Sequence, residues 1–495
     1  MKPTIALLVL FTIIAIALPA RAADTPNVVF ILADDLGYGD LSCYGATKVK
    51  TPHCDRLAKE GMRLTDAHSP SAVCTPTRYS VLTGRYCWRT WLKNWVLNSN
   101  HPLLVEQDRL TMGKLFQQHG YRTGCVGKWH LGWTNERNPV FNGDVKPGPL
   151  EVGFDTFYGV PFSHNSPRAI QVYMRDRRIV GLKDGEDYRD KEVMKRTVRR
   201  LEDTAIGLSK EAVAFIDENK DRPFFLFYPT TNIHFPVTPH ERFQGQTEAG
   251  IYGDFVAEFD WAVGEVLDAL DRNDLTKNTI VVVTSDNGAR PRDDMNGHQC
   301  NGPWRGTKRM IYEAGHRVPL IVRWPGKVAA GSESAETVCL TDFMATFAAM
   351  LGHDLPDDAA EDAYDISAVL LEKPYESPIR EATVHHSVNG TFAIRQGDWK
   401  LIESAGNGDY ETPHALWFQN RYEGGFPNRD PETGEYLPLI YNIRTETKET
   451  MGLQLYNLKD DPAESQNLIE TRPEIVERLQ KLLDEYRTAD RSAKR

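Results

Sequence analysis

Cys74-Thr75-Pro76-Thr77-Arg78 has the form Cys-x-Pro-x-Arg, on which a cysteine is oxidised to formylglycine, an aldehyde that no unmodified side chain imitates. The five residues have a plainer use as well: Thr75 can N-cap a helix, Pro76 suits its first position, and free cysteine is commonly buried. Four other groups bear on the choice. Asp34-Asp35 and Asp286-Asn287 each follow an apolar run and offer hard oxygen ligands, three of them formally anionic, which suits a divalent cation such as Ca2+ or Mg2+ and not a soft metal. Lys128 and His130 follow a third apolar run and His234 a fourth; together with Lys308 they can hold an anion and move protons.

Those runs, at 28–32, 123–126, 224–228 and 280–284, are rich in β-branched and aromatic residues and read as strands. Between them lie helical stretches with well-marked ends, such as 51–60 before Gly61 and 112–119 before Gly120. The alternation, from about residue 27 to residue 351, predicts an α/β fold with a doubly wound, mostly parallel sheet sandwiched by helices. In such sheets ligands bind outside the carboxyl ends of the strands, so the polar residues that follow the four runs are expected to converge. Beyond Asp354 a connector rich in Pro and acid, 355–378, leads to short strands at 392–395, 399–402 and 453–458. A terminal helix follows, with Ile475, Val476, Leu479, Leu482, Leu483 and Tyr486 on one face. The expected division is a large domain over 23–375 and a smaller C-terminal α+β domain over 376–495, a short antiparallel sheet plus the terminal helix, interrupted by a loop insertion at 403–452.

The first 22 residues combine Lys2, an apolar run over 5–18 and Ala20-Arg21-Ala22, the pattern of a cleaved secretory signal. Export to a periplasm, a lysosome-like lumen or the outside is expected, with no stable membrane span after cleavage. The net charge of −11 becomes two units more negative without that segment, which argues against nucleic acid as a partner. Cysteine is odd in number, seven; setting Cys74 aside leaves six whose spacing fixes no pairing.

Nearly the whole mature chain resembles the type I sulfatases of the arylsulfatase family, within the alkaline-phosphatase-like superfamily. The pieces that carry the resemblance are Cys74 through Arg78 continuing to Leu82-Thr83-Gly84-Arg85, Gly127-Lys128-Trp129-His130-Leu131-Gly132, the strand-end Asp35, Asp286-Asn287-Gly288, and Arg305-Gly306-Thr307-Lys308 leading to Val318-Pro319. Gly397-Asp398-Trp399-Lys400 and Leu455-Tyr456-Asn457-Leu458 extend it to the far end. The resemblance implies hydrolysis of sulfate esters, of sulfated carbohydrate or of small aryl sulfates, after a maturing enzyme has converted Cys74 to formylglycine. It implies one Ca2+ held by Asp34, Asp35, Asp286 and Asn287 with the modified Cys74 facing it. Cys74 is then the nucleophile, Arg78 and Lys128 stabilise its hydrate, His130 is the base, and Ser163, His234 and Lys308 contact the sulfate or protonate the leaving oxygen. Ser163 rests on the short match at Gly159-Val160-Pro161-Phe162-Ser163-His164. A phosphomonoester or phosphonate hydrolase on the same scaffold, and a silent sulfated-glycan binder with Cys74 left as a thiol, remain open readings of the same residues. The insertion at 403–452 carries aromatics such as Trp417 and Tyr422 that either bury on their own domain or offer faces to sugar rings.

Overall fold

The computed structural model describes residues 25–409 and 452–494. The leader and nearly all of the insertion, Trp417 included, lie outside the described residues.

Five strands run parallel at the centre of a ten-stranded sheet: β1 (Asn27–Ala33), β2 (Arg122–Lys128), β3 (Thr156–Val160), β4 (Phe224–Pro229) and β5 (Thr279–Ser285), in the spatial order β5-β1-β4-β2-β3. Every residue of β1, β4 and β5 is buried, as expected of parallel strands covered on both faces. Alternation along β1 decides which helices meet which face. Val28, Phe30 and Leu32 join a core with α2 (Cys74–Thr83), α3 (Met112–Gln118) and α6 (Asp342–Met350), where Phe30 lies edge-on to Phe343 at 5.0 Å. Val29, Ile31 and Ala33 meet α1 (Pro52–Glu60), α4 (Thr204–Asn219) and α5 (Gly250–Arg272) on the other side. Truncating Phe30 to Ala would cost about 3–5 kcal/mol by leaving a cavity between sheet and helix.

The expected strands and helices are present, and shorter pieces extend the sheet on both sides. Leu320–Arg323 pairs antiparallel with β5, then Met62–Leu64 and Ser332–Ser334 complete that edge, while Met174–Arg175 and Arg178–Ile179 form a hairpin beyond β3. Ser332-Glu333-Ser334 is polar at every position, so no apolar pattern announces it. One boundary differs from expectation. α2 starts at Cys74, with Val73 in the N-cap position, so Pro76 is the third helical residue and Thr75 caps nothing. The Thr75 hydroxyl instead accepts from Leu97 N and donates to the His130 carbonyl, which removes it from capping and ties two loops to the helix start.

The C-terminal unit is a four-stranded antiparallel sheet, Thr383–His386, Phe392–Gln396, Trp399–Ile402 and Gln454–Asn457, covered by α7 (Pro473–Thr488). Ile475, Leu479 and Leu483 pack on Ile394, Leu401 and Leu455, so the helix stripe is core. A buried polar seam joins this unit to the large sheet: Arg395 pairs with Asp66, and Lys400 with Glu313 and Glu464. Three imidazoles in that seam, His68, His316 and His385, lie within ligand distance of one another. Lys400 Nζ is 3.1 Å from His316 Nε2 and Arg395 Nη1 is 2.9 Å from His68 Nε2, while the Nδ1 atoms of His68 and His316 lie 3.0 Å from each other. All seven cysteines are free thiols. No described helix is long and apolar enough to cross a membrane.

Candidate active site

The chain makes abrupt turns where the parallel strands end, and the side chains expected to converge do so there. After β1, Asp34 N donates to the Asn232 carbonyl at 2.7 Å, and Asp35 takes a left-handed conformation with φ 68°. Asp tolerates that region at a cost of about 1–2 kcal/mol because its short side chain finds local partners. Here Asp35 N donates to Asp286 Oδ1 at 3.2 Å, and its carboxylate accepts from Asn287 Nδ2 at 2.8 Å and Lys308 Nζ at 2.7 Å. Asp286 follows β5 directly, its N–H bonded to the Ala33 carbonyl at 3.1 Å. Lys128 ends β2, and the residue before it must be glycine. Gly127 has φ +139°, and a Cβ there would lie 1.8 Å from the Pro229 carbonyl oxygen, so only glycine lets β2 and β4 close up at the site.

Lys128 Nζ donates to both oxygens of Asp34, at 2.9 and 2.8 Å. Arg78, fully buried on α2, donates through Nε and Nη2 to Asp286 Oδ2 at 3.0 and 2.7 Å, and through Nη1 to the Lys128 carbonyl at 3.1 Å. Asp34, Asp35 and Asp286 are thus matched by Lys128, Lys308 and Arg78. Buried ion pairs are poor stabilisers compared with apolar packing, so such a balanced cluster is better explained by a task than by stability. Burial works against the Asp35 carboxylate, yet Lys308, His234 and Lys128 hold it well below the usual carboxylate range. For Asp286, burial and the neighbouring Asp34 outweigh Arg78 and push the carboxyl up to about 6.

A divalent cation fits the oxygens at this point. Among the described residues Asn287 Oδ1 is buried with no hydrogen-bond partner, although its amide nitrogen is bonded to Asp35 and to the Gly288 carbonyl. Ligand atoms of Asp34, Cys74 and Asp286 lie within 4.8 Å of one another, as do those of Asp34, Asp35 and His234. An orphaned amide oxygen, on a residue whose nitrogen is bonded to Asp35, joins the carboxylates as a hard-cation donor set. With three cations already offsetting three carboxylates, an added divalent ion leaves the pocket positive and ready for an anion, although the chain as a whole is acidic.

Cys74, the first residue of α2, places Sγ 3.4 Å from His130 Nδ1. The other ring nitrogen, Nε2, is 2.9 Å from the Leu97 carbonyl, which can only accept, so Nε2 carries the proton and Nδ1 presents a lone pair to residue 74. Burial, with Lys128 and Arg78 adding to it, holds the His130 imidazolium far below the usual range, so the ring is a neutral base. Burial also pushes the Cys74 thiol up despite Lys128 and Lys308, which makes an unmodified thiol a poor nucleophile here. On the far side, His234 Nδ1 donates to the Phe235 carbonyl at 2.6 Å while Nε2 faces Ser163 Oγ at 3.5 Å. Burial, then Lys308, bring the His234 pKa down to about 3. The arrangement can therefore bind an anion among three cations, take a proton at His130 Nδ1 and return one from the side of His234 and Lys308.

Every side chain expected from sequence is in or beside this cluster; Ser163 joins it through His234. Groups that sequence reading did not single out are the Leu97 carbonyl, which sets the His130 tautomer, the Asn232 carbonyl, which anchors Asp34, and the Thr75 hydroxyl. Two of these are backbone atoms with no side-chain signature, and Thr75 was legible only as a capping residue.

Residues 26–353 match the family model described as Sulfatase, and residues 304–412 match one described as N-sulphoglucosamine sulphohydrolase, C-terminal. An N-acetylgalactosamine-6-O-sulfatase of Bacteroides thetaiotaomicron is 36% identical, covering 94% of this chain and 93% of its own length. Human arylsulfatase A is 30% identical over 95% of this chain and 89% of its own. A solved Bacteroides thetaiotaomicron protein of glycosaminoglycan metabolism superposes with a TM-score of 0.80 at 34% identity, covering 94% of this chain and 100% of that one. Shared fold, shared length and a family match spanning the five parallel strands, Asp34-Asp35 and Asp286-Asn287 mean that the chain belongs to the type I sulfatases and is a sulfuric ester hydrolase.

Proposed function

We propose that this protein is an exported, formylglycine-dependent sulfatase that cleaves sulfate esters of carbohydrate, with 6-O-sulfated N-acetylgalactosamine the first substrate to assay. The chemistry rests above all on one observation, the His130 Nδ1 lone pair 3.4 Å from the side chain of a Cys-x-Pro-x-Arg cysteine. The choice of substrate rests on the names of the relatives. Formylglycine at position 74 would supply a hydrated aldehyde, a nucleophile that resets itself when sulfate leaves. A Ca2+ ion held by Asp34, Asp35, Asp286, the Asn287 amide oxygen and residue 74 supplies Lewis-acid stabilisation of the transferring group.

The chain's own residues supply the rest. His130, its Nε2–H fixed on Leu97, accepts at Nδ1 the proton that residue 74 must lose to expel sulfate. Arg78 and Lys128 oppose the charge that develops on residue 74 and on the sulfuryl oxygens, and the N-terminus of α2 points the same way. Lys308 and His234 serve the leaving oxygen. Burial, then Lys308 and Lys128, disfavour the His234 imidazolium; the negative charge of a bound sulfate ester opposes the two lysines and so raises the ring's proton affinity when substrate is present. The net reaction is ester plus water to alcohol plus sulfate. Residues 23–375 are proposed to form the catalytic domain and 376–495 the C-terminal subdomain with the 403–452 insertion, and a formylglycine-generating enzyme is the required partner in maturation.

Mass analysis of the peptide containing residue 74, together with sulfate release from matched sugar and aryl substrates, tests the proposal. Active material should show loss of sulfur and gain of oxygen at residue 74. Rapid sulfate release by protein whose Cys74 is wholly unmodified would overturn the mechanism.

A further inference from the structure

His234 sits on the loop that follows β4, and its two feet are Asn232 and His240. Glu258, a fully buried residue of α5, reaches both. Its Oε2 accepts from Asn232 Nδ2 at 3.0 Å and its Oε1 accepts from the His240 backbone N–H at 3.2 Å. Asn232 is itself joined to the metal-ligand strand end, since its carbonyl accepts from Asp34 N. Between the feet, Thr238 Oγ1 is held 2.9 Å from His164 Nε2, on the loop that carries Ser163. One carboxyl group on α5 therefore closes the loop at both ends, with His234 between them.

We infer that Glu258 is a positioning residue that sets the place of His234, and hence the delivery of a proton to the leaving oxygen, by tying both feet of its loop to α5. The inference rests on the proposed role of His234 at the leaving group. Glu258 makes no ion pair among the described residues, and both of its bonds go to the loop that carries His234. The charged or titratable groups that face it, Arg242, Asp203, His240, Tyr173 and Tyr228, come from four neighbouring segments and none bonds it through a side chain. Burial pushes its carboxyl up to about 8, against the two N–H donors, which favour the ionised form. Asn232 Oδ1 is also buried without a partner, so turning the Asn232 amide over would let a glutamine at 258 satisfy both feet.

The test compares Glu258→Ala, Glu258→Gln, His234→Ala and the double variant Glu258→Ala/His234→Ala in the mature holoenzyme. Each is assayed on a sugar 6-O-sulfate, whose alkoxide needs a proton, and on 4-nitrophenyl sulfate, whose leaving group does not. Glu258→Ala should lower kcat on the sugar ester by about tenfold or more with KM within about threefold, and lower kcat on the aryl ester far less. Glu258→Gln should recover most of the loss, and the double variant should be no slower than His234→Ala alone. Equal losses on both esters, or losses that multiply in the double variant, would overturn the inference. Should Glu258→Ala not fold, Asn232→Ala cuts the same tie from the loop side and is judged by the same criteria. If His234→Ala itself fails to discriminate the two esters, the leaving-group role falls, while multiplicity in the double variant still decides whether Glu258 acts through His234.

Discussion

Glu258 should also make the stability of this protein depend on pH, in a direction fixed by its surroundings. Burial raises its carboxyl from an ordinary 4.5 to about 8, so the folded state holds a proton that the unfolded chain has released. The favourable protonated state is then fully present below pH 4.5 and its contribution is lost as pH rises through 8. Linkage over the window from pH 5 to pH 7.5 gives a loss of about 3 kcal/mol, an upper figure because water penetration and relaxation soften such shifts. Glu258→Gln carries no titrating group and keeps the shape, so it should hold its stability where the parent loses it. At about 2.1 cal/mol/K of unfolding entropy per residue, a chain of this size converts that loss into about 3 °C. The measurement is the melting temperature of both proteins at pH 5 and pH 7.5 in saturating Ca2+. The gap between them should widen by about 1–3 °C in favour of the glutamine variant at the higher pH. A gap that stays constant would mean that Glu258 is ionised throughout and would refute the reading of its environment.

Three further outcomes are expected. His130→Ala should lower turnover by about 10²–10⁴-fold, with sulfate accumulating on residue 74 because the proton that must leave for its release has no acceptor; intact-mass measurement after mixing with substrate checks this. Exhaustive chelation, or Asn287→Ala, should abolish activity and lower the melting temperature. At a metal concentration of 100 times its dissociation constant the ion contributes about 2.7 kcal/mol to the folded state, and elemental analysis with Ca2+ add-back distinguishes lost metal from lost fold. Gly127→Ala should destabilise by about 2–4 kcal/mol, since a methyl group cannot fit 1.8 Å from the Pro229 carbonyl oxygen, and should depress kcat/KM by pulling Lys128 off Asp34.

The site was legible in sequence to the extent that strand-end chemistry is local. Asp34-Asp35 and Asp286-Asn287 sit where apolar runs break off, and a parallel sheet brings such breaks to one edge whatever the distance between them along the chain. The same argument placed Lys128 and His234. It could not reach the parts of the site that depend on which backbone atom faces which side chain. Nothing in Val96-Leu97-Asn98 announces that the Leu97 carbonyl will fix the proton of His130, yet that carbonyl decides which imidazole nitrogen is free to act. Glu258 lies in a long helix most of whose positions are buried, and nothing in the helix's own pattern shows that its hydrogen-bond donors will come from the loop after β4. The edge strand Ser332–Ser334 and the polar seam of Asp66, Glu313, Arg395 and Lys400 escaped for a related reason, because paired backbone edges and matched buried charges leave no periodic pattern in either partner alone. What the local signals specify is therefore the set of reacting groups, and what only the folded chain specifies is their protonation and aim. For a sulfatase those second properties set the rate, since the same Lys, His and carboxylate side chains with the other imidazole nitrogen protonated would offer residue 74 a donor in place of a base.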